Sequence, residues 1–145
     1  MNYKDWTIPR LKELPQLRKS LDTIPMRLEV LEAEYTNIRA TRTDATPVRD
    51  GTNGREEMLV SNIAERQELE RTYKIAKQKV KIMDDALAFI GEPAATILDR
   101  FYIHKSKNHV ERLSMELGFE RSSIYRMKDE ALVALAKSLY GIAEE

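Results

Sequence analysis

From Leu14 the apolar residues fall at Leu14, Leu17, Leu21, Ile24, Leu28, Leu31, Tyr35 and Ile38, in steps that alternate three and four without a fault. That is the a/d spacing of a coiled-coil seam, and no other pattern constrains the chain as much. A helix with so narrow a stripe cannot bury it alone. A second stripe follows at Tyr73, Ala76, Val80, Met83, Leu87 and Ile90. Traced backwards it passes through Leu69, Arg66, Asn62 and Leu59, so its first half is a poorer seam. A helix over residues 55–90 would span roughly 54 Å at ~1.5 Å per residue. The simplest arrangement folds the two stripes together as an antiparallel hairpin. The rival pairs them between two chains, as a homodimer through the heptad helices. Spacing alone leaves both open.

Pro25 interrupts the first stripe. Inside a helix, proline removes one backbone hydrogen bond and clashes with the preceding turn, at a cost of ~3 kcal/mol. Asp22 or Thr23 could instead cap a new helix, with Pro25 in its first turn. Because the seam keeps its phase, a kink or tight break is expected rather than a change of direction. Residues before Leu14 do not extend the seam, and Trp6 has no evident place. Between the stripes lies ATRTDATPVRDGTNG, rich in Thr, Asp, Gly, Pro and Asn and without an apolar period. It predicts a loop. The plan is an N-terminal helical segment over 1–40, a linker over 41–54, a long helix over 55–90 and a C-terminal domain over 91–145.

Gly91-Glu92-Pro93 ends the long helix and starts another over 93–103, with Pro93 in its first turn and a buried face of Ile97, Leu98, Phe101 and Tyr102. Asn108 followed by Glu111 resembles a capping box and opens a helix at His109. That helix should end at Leu117, with Gly118 supplying a left-handed turn. A last helix then runs over 121–140, with Ala131, Leu132, Leu135, Ala136 and Leu139 packing its later turns. Leu113, Leu117, Phe119, Ile124 and Met127 would let the two helices flanking Gly118 cross and share one small core. The exposed face of the second would carry Arg121, Ser122, Tyr125, Arg126 and Lys128.

Charge gathers at the same place. The chain is neutral overall, with 24 basic and 24 acidic residues, which argues against binding nucleic acid by bulk charge. Locally, residues 100–112 hold Arg100, Lys105, Lys107 and Arg112 against Glu111, and residues 121–128 hold three cations and no acid. A phosphate-contacting surface needs that clustering. Arg121 and Arg126 could fork onto guanine or clamp phosphate, while Lys128 suits phosphate alone. Ser122 and Ser123 stand where hydroxyls and free amides hold phosphates. Tyr125 could meet a thymine methyl or cover the helix crossing. Arg100, Lys105 and Lys107 could touch the flanking backbone or simply solvate a loop.

Other chemistries find little support. Without cysteine, disulfides, thiolate zinc sites and cysteine nucleophiles are excluded. His104 and His109 have no companions for a metal site. There is no Gly-rich phosphate loop and no nucleophile beside a histidine, so neither an enzyme nor a cofactor is expected. Short apolar runs and the lack of a signal-like segment predict a soluble cytoplasmic protein with no membrane partner.

The residues ILDRFYI (97–103), VERLSMELGF (110–119) and SSIYRMKDEALVAL (122–135) resemble the sigma-factor region 4 type of helix-turn-helix. Within that class the layout is similar to phage and prophage transcriptional activators of the RinA and ArpU type, with Thr46-Pro47-Val48 and then Arg55-Glu56 matching their loop and helix start. The specific part of the resemblance covers about the last 50 residues. It implies an all-α chain, with a coiled-coil-like N-terminal hairpin and a C-terminal sigma region 4-like module. It also implies a bacterial-host cytoplasmic location, binding to double-stranded promoter DNA and regulation of late or packaging genes, with RNA polymerase as a further partner. One departure stands at Glu120, where many such modules carry a Ser or Thr cap. Glutamate caps poorly, and near DNA it could repel phosphate or accept a bond from a cytosine amino group. Two other functions stay open: a small terminase-like packaging protein, and a coiled-coil adaptor whose C-terminal bundle binds protein.

Overall fold

The computed structural model describes residues 2–41 and 49–143. Every element among them is helical: α1 (Tyr3–Thr41), α2 (Arg49–Ile90), α3 (Ala94–Leu98) continued by a π-helical turn (Asp99–Ile103), α4 (His109–Leu117) and α5 (Arg121–Tyr140). The chain divides into two compact units, one of Arg18–Lys77 and one of Met1–Leu17 with Gln78–Glu145. Both boundaries cut the long helices, instead of falling at the linker and at Gly91.

In the first unit, α1 and α2 pair within the chain. Arg27 meets Glu65 at 3.0 Å, Asn62 Nδ2 donates to the Leu31 carbonyl at 2.8 Å, and Arg55 donates to the Thr41 carbonyl at 3.3 Å. Partner numbers fall as α1 numbers rise, so the helices run antiparallel. The residues at the 3-4 spacing are the shielded ones. Ile24, Leu31 and Ala76 are buried, and Leu21, Leu28, Tyr35, Ile38, Leu59, Leu69 and Tyr73 are half-buried. Burying a Leu or Ile side chain contributes ~1.5–3 kcal/mol, so the pairing draws most of its stability from these positions.

The poorer half of the α2 seam is polar but satisfied. Buried Asn62 donates to Leu31 and accepts from Arg66 Nε at 2.9 Å. The Arg66 guanidinium then lies over the Tyr35 ring, 4.8 Å from its centroid. A hydrogen-bonded amide in an otherwise apolar seam favours one register, because slipping by a turn would strand it.

Of the kink or tight break expected at Pro25, the break is absent. α1 runs unbroken through Pro9, Pro15 and Pro25. Each proline removes one of the bonds of a 39-residue ladder, and packing of the seam on both sides of Pro25 holds the helical phase. Helix also takes up both ends of the loop expected over 41–54. Thr41 belongs to α1 and α2 begins at Arg49, because glycine costs only about 1 kcal/mol in a helix and propagation from a long neighbour is favourable. Residues 42–48, including Thr46-Pro47-Val48, lie outside the described residues.

In the second unit the α1 seam does extend before Leu14. Leu11 and Thr7 are fully buried, continuing the three- and four-residue steps. Thr7 escapes an apolar count, yet its hydroxyl is satisfied by the Tyr3 carbonyl at 2.8 Å. Trp6 finds its place here too. Its ring meets Tyr3 edge-on at 5.0 Å and Tyr140 at 6.0 Å, while the Tyr3 amide donates to the Ala143 carbonyl at 2.9 Å. The start of α1 is thus tied to the end of α5.

α3 packs on α5 and α4 packs on both α5 and the π-turn. Their shared core is Ile97, Phe101, Val110, Leu113 and Ile124, flanked by Tyr102, Leu117 and Met127. Phe119, expected in this core, is 43% exposed. It lies in the turn beyond α4, where the Ser114 hydroxyl holds its carbonyl and the chain directs its ring outward.

Substitutions at two positions test these arguments. Asn62→Ala should destabilise the protein by about 1 kcal/mol, read as a lower urea midpoint, because it leaves Arg66 and Leu31 without that partner. Gly118 has φ 76° and open space where a Cβ would stand. Gly118→Ala should therefore cost about 1–2 kcal/mol from backbone strain alone, and Gly118→Asn less, by thermal melting.

Candidate nucleic-acid interface

Three residues, Gly118, Phe119 and Glu120, join α4 to α5. Gly118 closes α4 in the left-handed conformation, its amide donating to the Ser114 carbonyl at 2.9 Å. Glu120 is extended and makes no side-chain cap, so α5 starts without a side chain on its first amides. Asn108 does not form the expected capping box. Its φ is 57°, a left-handed conformation that asparagine tolerates, and its side chain makes no cap bond.

Ile124 anchors α5 in the core, and residues around the rest of the first turns reach solvent. Arg121, Ser122, Tyr125 and Arg126 are exposed, and Ser123 is half-buried. Tyr125 also lays its ring edge-on against Phe101, with centroids 5.9 Å apart, so it covers the helix crossing while 44% of it remains accessible.

Lys128 is not on that face. Its side chain is only 19% exposed, with Nζ 2.8 Å from Asp129 and 5.7 Å from the centre of the Phe101 ring. The reason is helical spacing: Ile124, Lys128 and Leu132 are four apart, so the lysine stem covers the core between two buried residues. Burial acts against its charge, but the Asp129 hydrogen bond and the nearby charges of Tyr102, Asp129 and Tyr125 outweigh that and raise its pKa. For the Tyr102 phenol burial acts the other way and raises its pKa, against the pull of the Lys128 charge.

The acid-free run of sequence is not acid-free in space. Arg121 Nη1 lies 3.9 Å from Glu111 of α4, Arg126 Nε 3.9 Å from Glu130, and Arg100 Nη1 3.2 Å from Glu116, with Asp99 at 3.8 Å. Glu130 could have been found from its i+4 spacing to Arg126 and Asp129 from adjacency to Lys128. Glu111 and Glu116 reach their arginines across helices, with no local signal. Lys105 and Lys107 are exposed on the segment between the π-turn and α4. That segment is held at its start, where the His104 amide donates to the Asp99 carbonyl at 2.7 Å and His104 Nδ1 meets the Asp99 carboxylate at 2.9 Å.

The structure therefore groups Arg121, Ser122, Tyr125 and Arg126, keeps Ser123 at their edge and turns Lys128 inward. Arg100 sits on the π-turn in contact with α4. Among the described residues there is no group of three His, Asp or Glu side chains fit to hold a metal, and no helix long and apolar enough to cross a membrane. No protein-family model, no curated protein and no solved structure matches the chain.

Both raised pKa values set a pH dependence. Each group binds its proton more tightly when folded, so its contribution is complete below the ordinary values, 10.0 for Tyr102 and 10.5 for Lys128. That contribution disappears as pH rises through the raised values. The melting temperature should fall above about pH 10. Tyr102→Phe should fall less over the same interval in parallel melts.

Proposed function

We propose that the chain is a sequence-specific DNA-binding transcription regulator of the phage and prophage late-gene activator type. In this reading α4, the Gly118 turn and α5 form a sigma region 4-like helix-turn-helix, and α5 docks in the major groove. The paired stripes of α1 and α2 are its coiled-coil-like hairpin. One observation carries the reading. A three-residue turn with a left-handed glycine joins two helices around a common core and leaves Arg121, Ser122, Tyr125 and Arg126 outward at the start of the second.

In that pose Arg126 and Arg121 read base edges or clamp phosphate. Ser122 and Ser123 meet phosphate near the uncapped α5 amides, and Lys105 and Lys107 touch the neighbouring backbone. Lys128 serves as a core-covering residue that holds Tyr102 and Phe101 behind the face.

The reading is tested by binding to DNA fragments from the genomic neighbourhood of the gene, at two salt concentrations with random DNA as competitor. Site-preferring, salt-dependent binding is expected, and the Arg121→Ala/Arg126→Ala double variant should lose it. Arg126→Ala alone should weaken the preferred site by ~1–3 kcal/mol and relax its sequence preference. An equal loss on preferred and random DNA would make Arg126 a phosphate contact. No binding at low salt would move the α4–α5 surface to a protein-protein role.

A further inference from the structure

A surface that binds nucleic acid by charge keeps its cations free of competing acids. Here Arg121, Arg126 and Arg100 each have a glutamate within 4 Å: Glu111 at 3.9 Å, Glu130 at 3.9 Å and Glu116 at 3.2 Å. Glu111 on α4 and Glu130 on α5 flank the outward face from both helices, and Glu116 on α4 holds Arg100 of the π-turn. All three are exposed. Such pairs add little to folding stability, because water and salt screen them and two long side chains must be ordered. Their consequence for an approaching polyanion is larger. A phosphate reaching one of these arginines must displace or share a carboxylate and accept its repulsion, so fewer counterions leave the DNA on binding. A guanine edge is neutral, and the arginine fork can meet O6 and N7 without that repulsion.

We infer that Glu111, Glu116 and Glu130 are specificity-determining residues, which suppress binding to the DNA backbone and leave the arginines dependent on base contacts. This rests on the DNA-binding reading. It fits the neutral net charge of the chain, which supplies no overall attraction to DNA. Discrimination gained by lowering affinity for the wrong partner is as real as discrimination gained by raising affinity for the right one.

The experiment measures the affinity of a random-sequence duplex, over a range of salt, for three full-length proteins. They are the wild type, the triple variant Glu111→Gln/Glu116→Gln/Glu130→Gln, and a charge-matched control, Glu57→Gln/Glu68→Gln/Glu70→Gln, altered on the exposed side of α2. Thermal melts check that all three are folded. The triple variant should bind at least about tenfold more tightly than the wild type near physiological salt. Its log–log salt slope should steepen by roughly 0.9 for each cation freed, with the control close to wild type. A triple variant within twofold of a wild type that binds would overturn the inference and leave the DNA-binding reading standing. Equal gains in triple variant and control would also overturn it, since bulk charge would then be the cause. If neither wild type nor triple variant binds at low salt, both the inference and the DNA-binding reading fall.

Discussion

A helix whose apolar surface is a single a/d stripe has only one way to remove that stripe from water, which is to lay it against another. α1 and α2 meet this requirement in the same chain, and much else follows from it. Their antiparallel course is fixed by the seam, and its register by Asn62, Arg66 and Tyr35, polar groups whose bonds are made in one alignment. In residues 18–77 the two stripes face each other within the chain. The prolines of α1 persist for the same reason. A lost backbone bond costs a few kcal/mol, while each well-buried Leu or Ile returns a comparable amount, and the seam supplies Leu11, Leu14 and Ile24 before Pro25 and Leu31 after it.

The C-terminal helices solve a different problem. α3 and α4 are too short to be stable as isolated helices, so their conformation depends on the small core they share with α5. Phe101 is central to it. It meets Tyr102, His109 and Tyr125 as aromatic neighbours and lies under the Lys128 ammonium. One residue on the π-turn therefore touches both helices flanking the Gly118 turn. The outward residues of α5 are positioned through that contact, because Tyr125 is at once a core-covering ring and part of the exposed face.

Much of the fold is legible in the sequence, for a physical reason. Helical periodicity is a local property, and the positions at steps of three and four are the shielded ones, down to Asn62 and Arg66, which the spacing selects although their chemistry does not. Gly118 is legible because an αL turn after a helix favours glycine. The bounds of α4 and α5 also follow from local signals. What the sequence hides is either backbone state or distance. Asn108 looks like a cap, but its left-handed φ takes its side chain away from the helix amides. Thr7 is buried because its hydroxyl finds a carbonyl one turn back, which no hydropathy scale credits. Trp6 is placed by residues more than a hundred positions away.

The face of α5 is where local reading errs most, and the error is instructive. A run of residues 121–128 without an acid suggests a free basic surface, since charge is counted along the chain. Charge acts through space, and within a few ångströms of those cations lie Glu111 from the preceding helix, and Asp129 and Glu130 from just beyond the run. Local charge balance thus resembles that of the whole chain. A protein so balanced gains little from the counterion release that drives non-specific attachment to a duplex. On the DNA-binding reading, its selectivity must then come from the shape of the α5 surface and the forked donors of Arg121 and Arg126. A hydrogen-bonding match can reward those donors at one sequence and not at another, whereas a phosphate rewards them at every sequence.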